Sequence, residues 1–271
     1  MERLDIHKLD TYAKSLIKEA AYNIKTSLTS ELIIESKSEA NDLVTNIDKE
    51  TEKFFINHIK ADFAEHRIFG EEGFGDDIKD LSGFVWLLDP IDGTTNFIHQ
   101  KQNFAISLGI YKDGVGILGY IYNVMEDTLL SGSLNGGAYL DDLRLPKLGA
   151  SSVEEAVVGI NARWVVPNRY VHHEGMVNLL KTVRGTRSLG SAAIEISYVV
   201  TGKLDAYISM RLSPWDIAGG MVIAKEVGAI ATNLAFEHLD LLDADSFIIS
   251  KPGLHEQLLI DYIQIKQNPA D

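Results

Sequence analysis

The stretch Trp86-Leu87-Leu88-Asp89-Pro90-Ile91-Asp92-Gly93-Thr94-Thr95-Asn96-Phe97 constrains the fold of this chain more than any other. The apolar run from Phe84 to Leu88 has the length and composition of a buried strand, and it stops at a carboxylate followed by proline. Asp89 is therefore expected at a strand end. Pro90 contributes no N–H and imposes an extended entry, so Ile91 and Asp92 are expected to leave the sheet as a loop that curls back toward Asp89. Gly93 permits a backbone conformation closed to other residues, and Thr94, Thr95 and Asn96 are helix-starting types. The N–H groups of such a start form an anion site, here placed beside two acids.

Two unit charges about 4 Å apart interact by roughly 1 kcal/mol in water and roughly 4 kcal/mol at an effective dielectric near 20. Converging, partly buried acids therefore call for a cation between them. Aspartate carboxylates and a backbone carbonyl are hard oxygen ligands suited to Mg²⁺, Mn²⁺ or Ca²⁺. The plainer alternative is that Asp-Gly marks only a turn. That alternative leaves the preceding strand, the second acid and the Thr-Thr-Asn run as coincidences.

The run Asp89-Pro90-Ile91-Asp92-Gly93-Thr94-Thr95-Asn96-Phe97 resembles the central motif of the inositol monophosphatase family of magnesium-dependent, lithium-sensitive phosphatases. A second match lies more than a hundred residues on, at Ser213-Pro214-Trp215-Asp216-Ile217-Ala218-Gly219-Gly220-Met221. Read alone, Asp216 caps a helix with a small-residue inner face; the resemblance makes it the aspartate that completes a second metal site. Likewise Gly70-Glu71-Glu72-Gly73 reads alone as a solvated turn, whereas the resemblance assigns a metal ligand to Glu71 and an orienting role to Glu72. Asp42 reads alone as a loop acid, and the resemblance places it beside the catalytic threonine. Gly190, Ser191 and Ala192 form a strand-to-helix junction, which the resemblance sets against the ring of the substrate.

The similarity covers essentially the whole chain and implies an α+β or α/β fold, a layered α-β-α-β-α sandwich of the sugar-phosphatase type. Periodicity agrees. Apolar residues from Ile6 to Leu28 recur at helical spacing, and Thr45 with Asp48 resembles a cap for a helix carrying Phe54, Phe55 and Ile59. Glu31 to Lys37 reads as a short strand or a loop. Asn103–Asp113, Val115–Val124 and Thr128–Ser131 read as antiparallel strands, with a hairpin turn at Leu134-Asn135-Gly136-Gly137 leading to Ala138–Leu140. Beyond Ser151, strands at Ala156–Ile160 and Val183–Ser188 alternate with helices at Tyr170–Lys181 and Ala192–Val200. Gly228–Leu234 and Ser246–Ser250 read as strands, and Leu254–Ile265 as a closing helix. Two closely packed halves are expected, 1–145 and 146–271, with the active site between them.

Composition limits the partners. The 271 residues carry 39 Asp plus Glu against 25 Lys plus Arg, a net charge of −14, which argues against nucleic-acid and anionic-membrane surfaces. The absence of cysteine excludes disulfides and thiol chemistry, and fits a reducing compartment. No apolar secretion signal opens the sequence and no run approaches a membrane span, so a cytoplasmic protein is expected. The resemblance adds a homodimer.

The expected chemistry is phosphomonoester hydrolysis with two or three Mg²⁺ ions. Glu71, Asp89 and the Ile91 carbonyl would hold one, and Asp89, Asp92 and Asp216 another, with Glu71 a candidate for a third; Mn²⁺ or Ca²⁺ can occupy such sites. Thr94, backed by Asp42, would orient water, and N–H groups near Gly93 and Thr94 would hold phosphate oxygens. One departure bears on the substrate: seven residues before Asp216, inositol-hydrolysing members carry a hydroxyl-binding glutamate, and this chain has Ser209, with Arg211 two further on. A serine cannot replace a carboxylate acceptor, and an arginine suits a second anionic group. Inositol monophosphate is therefore the first expectation for the small phosphorylated substrate. NADP(H), fructose 1,6-bisphosphate and 3′-phosphoadenosine 5′-phosphate are its rivals, and a regulatory relative without turnover is the alternative of another class.

Overall fold

The computed structural model describes residues 3–29, 32–36 and 43–266. In chain order the elements are α1 (Arg3–Ser27), β1 (Ile34–Ser36), β2 (Leu43–Thr45), α2 (Asn46–Asp62), β3 (Arg67–Gly70), β4 (Phe84–Asp92), α3 (Thr94–His99), β5 (Ala105–Lys112), β6 (Val115–Asn123), β7 (Thr128–Ser133), β8 (Gly137–Leu140) and β9 (Leu143–Arg144). There follow β10 (Val157–Ile160), α4 (His173–Thr182), β11 (Gly185–Arg187), α5 (Ala192–Val200), β12 (Ala206–Leu212), α6 (Pro214–Val227), β13 (Ile230–Thr232), β14 (Asp245–Ser250) and α7 (His255–Gln257).

β3 to β9 form a seven-stranded sheet in sequence order, antiparallel except for the parallel pair β3–β4. A five-stranded sheet runs β11-β10-β12-β14-β13, parallel at β11-β10-β12 and antiparallel beyond. Alternating side chains sort these sheets into layers. Leu108, Ile110, Leu118, Tyr120 and Tyr122 face α1 and α2, and pack with Leu16, Ile17, Ile24, Phe55 and Ile59. From the other face Ala105, Ile121 and Leu130 meet α5 and α6, whose far side receives Tyr207, Phe247 and Ile249 of the second sheet. That sheet turns Val158, Ile208 and Ile248 outward onto Met176 and Leu179 of α4 and onto Leu254 and Leu258. The result is the expected α-β-α-β-α sandwich.

One expectation about the central stretch is corrected. β4 does not end at Asp89 but runs on to Asp92, and Pro90 lies inside it. Asp89 pairs with Ser107 and Asp92 with Ala105, so three steps of β4 face two of β5. This is a bulge, where a residue without an N–H breaks no ladder bond. The two acids are thereby re-aimed without leaving the sheet.

The remaining differences lie at element ends. α4 starts at His173 rather than Tyr170, because Val171 pairs with Ile265 in a β-bridge. The same bridge shortens the closing helix, which is a turn at His255–Gln257 continued by a π-helical turn, Leu258–Tyr262. The strands expected over Val183–Ser188 and Gly228–Leu234 shrink to β11 and β13, both sheet edges with one neighbour each.

Placement of α6 depends on a glycine row. Gly109, Gly119 and Gly132 are in register across β5, β6 and β7. A Cβ on Gly119 would lie 2.2 Å from the Gly219 carbonyl oxygen, and one on Gly219 would lie 2.5 Å from that of Tyr120. Backbone thus meets backbone, and only the smallest residue permits the approach. Overpacking elsewhere costs about 1–3 kcal/mol; here a backbone atom obstructs, so Gly119→Ala is expected to destabilise the fold by at least ~2 kcal/mol, read as a lowered urea midpoint with unchanged slope.

Candidate metal centre and substrate cavity

Three carboxylates, two from β4 and one from α6, converge where α6 reaches the bulge. One oxygen each of Asp89, Asp92 and Asp216 lie within 4.8 Å of one another. Asp89 and Asp92 are buried, 2% and 8% exposed, and Asp216 is partly buried. Burial, followed by the charges of Glu71, Asp92 and Asp216, pushes the Asp89 carboxyl far above the usual range. Glu71 follows β3, hydrogen-bonds Asp89 and adds its charge to Asp48 and Asp92 as well. A donor set of hard oxygens, two of them buried, whose like charges push one another's carboxyls up, fits a divalent metal.

Each acid is placed by an ordinary local device. Asp216 closes the capping box of α6, accepting from the Ser213 N–H at 2.8 Å. Asp92 sits over the start of α5, where it accepts from Ser191 Oγ at 2.6 Å and from the Ala193 N–H. Asp89 accepts from the Ile91 N–H across the bulge at 2.9 Å. Gly93, at φ 95°, turns the chain into α3 while lying against Ser191, so that a Cβ there would come 3.0 Å from the Ser191 Cβ.

Thr94 Oγ1 donates toward Asp48 Oδ1 at 3.1 Å and the Ile91 carbonyl at 3.2 Å. Asp42, expected beside this threonine, lies outside the described residues. Among the described residues the acid that reaches Thr94 is Asp48, fully buried, whose other oxygen accepts from the Thr45 N–H and hydroxyl. The sequence alone shows Asp48 only as a cap; here it also faces the Thr94 hydroxyl. One turn on along the same face of α2, buried Glu52 accepts from the N–H groups of Glu72 and Phe74 at 2.7 and 2.8 Å. It fixes the loop behind Glu71. Nothing but the four-residue spacing from Asp48 hinted at it. Asn96 ties the two sides together, donating to the carbonyls of Asn103 and Leu189.

A cavity of about 220 Å³ opens beside the acids. Asp92, Asp216, Gly190, Ser191, Ala192 and Ser209 line it, together with Glu195 and, at the rim, Arg163 and Trp164. Arg211 does not line it; it is exposed, and its carbonyl accepts from Ser209 Oγ at 3.3 Å. The guanidinium at the mouth is that of Arg163, stacked over Trp164 in a short 3₁₀ turn. Two cavities about twice as large flank α1, but neither contains the acid cluster.

The family model described as "Inositol monophosphatase family" matches residues 5–267. The chain belongs to the inositol monophosphatase family. It is 47% identical over 260 residues to the inositol-1-monophosphatase of Bacillus subtilis, covering 96% of this chain and 98% of that protein. Its structure is similar to that of SaIMPase-II bound to inositol monophosphate, with a TM-score of 0.85 and 39% identity over 94% of this chain and 93% of the other. An IMPase/NADP phosphatase complexed with NADP and Ca²⁺ superposes with a TM-score of 0.88 at 26% identity, over 96% and 98% of the two chains. Among the described residues no helix is long and apolar enough to cross a membrane.

The acids make metal-free stability depend on pH. Burial first, and then Glu71, push Asp92 up to about 6 against the opposing hydrogen bonds of Ser191, Ala193 and Ala192. A carboxyl raised in the folded state keeps a proton the unfolded chain has released, so stability falls as pH rises from the ordinary value of 3.8 through about 6. In chelator, Asp92→Asn is therefore expected to melt above the parent at pH 8 by about 5 °C, the gap closing by pH 4. A thermal-shift series across pH checks it; a gap independent of pH contradicts it.

Proposed function

We propose that this chain is a magnesium-dependent phosphomonoesterase acting on a small phosphorylated polyol, with inositol monophosphate the first candidate. The observation that carries this reading is the convergence of Asp89, Asp92 and Asp216 beside a cavity of about 220 Å³, below the ~300–1,000 Å³ of sites for drug-sized ligands. On this reading the division near residue 145 separates two halves that each supply acids to one site, and the molecule works as a homodimer.

Asp89, Asp92 and Asp216 would hold divalent ions, with Glu71 and the Ile91 carbonyl completing the oxygen set; two or three Mg²⁺ ions are proposed, and lithium is expected to inhibit. The chemistry such ions supply is polarisation of a phosphate ester and acidification of a water. Thr94 acts on that water. On this reading its hydroxyl donates to Asp48, which leaves its lone pairs to accept from the incoming nucleophile, and Asp48 stands behind it as the proton's destination. Burial pushes Asp48 upward, which makes it a better base than a solvated aspartate. N–H groups at the start of α3 hold phosphate oxygens in line for attack.

Asp89→Asn is expected to lower Mg²⁺-dependent phosphate release at least ~100-fold, and Thr94→Ala to lower kcat by ~10²–10⁴ with little change in KM. Parent protein that releases no phosphate from any candidate substrate would turn the reading toward a regulatory relative.

A second reading, hydrolysis of a substrate with two anionic groups such as NADP or fructose 1,6-bisphosphate, is favoured by Arg163 at the cavity mouth. Arg163→Ala should reduce kcat/KM for these substrates at least tenfold more than for inositol monophosphate, and Arg211→Ala should not. Equal effects of the two variants would remove the argument for a second anion.

A further inference from the structure

The cavity wall contains a carboxylate that the metal cluster does not use. Glu195, in the first turn of α5, is 2% exposed. Its Oε1 accepts from the Leu189 N–H at 2.6 Å, while Oε2 has no hydrogen-bond partner among the described residues. Oε2 lies in a notch on β10 where Gly159 has no side chain; a Cβ there would fall 2.5 Å from it. A buried acceptor without a donor costs about 1–3 kcal/mol. Burial also pushes the carboxyl up to about 7. Nothing in the packing of α5 requires an acid at this position, since the helix is otherwise anchored by Ser191 and by apolar residues. Ser209, which also lines the cavity, presents a hydroxyl already engaged with the Arg211 carbonyl.

We propose that Glu195 is a specificity-determining residue of the substrate cavity, its carboxylate accepting hydrogen bonds from hydroxyls of the alcohol moiety that Ser209 cannot accept. Glu195 lines the cavity, so a rotamer change about χ2 and χ3 that gives up the Leu189 N–H carries a carboxylate oxygen from the Gly159 notch to the substrate. Gly159 keeps the space in which the acid is stored. A polyol gains an acceptor here, and an ester without hydroxyls leaves it unpaired, which is the physical basis of discrimination. The assignment rests on the phosphatase reading only for its turnover readout.

The test compares myo-inositol 1-phosphate with phenyl phosphate, a monoester whose alcohol has no further hydroxyl. Glu195→Gln, which keeps size and the Leu189 contact, is expected to lower the ratio of kcat/KM values (inositol phosphate over phenyl phosphate) at least tenfold, mainly through KM. Gly159→Ala, which fills the notch and presses Oε2 toward the cavity with the charge left in place, should raise the same ratio. A ratio within twofold of the parent in both variants overturns the proposal, as does a parent that does not favour the polyol. Calorimetric binding in Ca²⁺ separates the two readings: affinity for myo-inositol 1-phosphate should drop tenfold in Glu195→Gln while that for inorganic phosphate is kept. If the parent binds these ligands without hydrolysing either, the phosphatase reading fails and the binding result alone decides on Glu195; equal affinity in parent and variant rejects it.

Discussion

Mutual repulsion of buried carboxylates is the constraint on which the rest of this structure depends. Asp89, Asp92 and Asp216 bring oxygens within 4.8 Å of one another where solvent cannot screen them, and Glu71 and Asp48 add their charges. Desolvation opposes every one of these charges, so the arrangement is held by whatever fixes the backbones that carry them. Three features do so: the bulge in β4, the hydrogen bonds from the start of α5 to Asp92, and the glycine row that lets α6 lie flat on the large sheet. A metal ion would reverse the sign of the electrostatics that these features resist.

The site reuses the devices of secondary structure. Asp216 and Asp48 each close a capping box and still turn an oxygen toward the site, because a carboxylate has lone pairs enough for both. Asp92 caps α5 from another sheet, so that strand and helix ends are locked together at the point where phosphate chemistry is proposed. The helix starts are therefore stabilised by the same groups that would serve a cation. Capping and chemical roles are not alternatives here.

How much could be read from the residues varied with the range of the interaction. Periodicity located most elements of both sheets, since alternation and helical spacing are local records of burial, and the family resemblance implied the layered sandwich. Periodicity failed where a distant partner sets the boundary. Val171 and Ile265 leave their expected helices because they pair with each other across ninety-four positions, and Pro90 stays in a strand because β5 accommodates a bulge. Asp42, expected behind Thr94, lies outside the described residues, while a further acid, Asp48, concealed in the sequence by its capping role, also reaches that hydroxyl. Residues two apart on a regular strand share a face, which would set Arg211 beside Ser209, yet β12 shifts register between Ser209 and Leu212 and the Arg211 side chain does not line the cavity; Arg163, from a different element, does.

The sequence by itself determined the inventory: a strand ending in paired acids, a helix opening with Asp216, a Gly-Glu-Glu turn, an acidic surface, and the family to which these belong. Residue identity and spacing suffice for that, because ligand chemistry and short-range geometry are properties of single residues and their near neighbours. Only the tertiary structure decided that acids of β4 and α6 share one cluster, that Glu52 anchors the loop behind Glu71, and that Glu195 stands in the cavity wall with an oxygen unpaired among the described residues. Those relations join positions far apart in the chain, and they come into being only when layers of sheet and helix close over them.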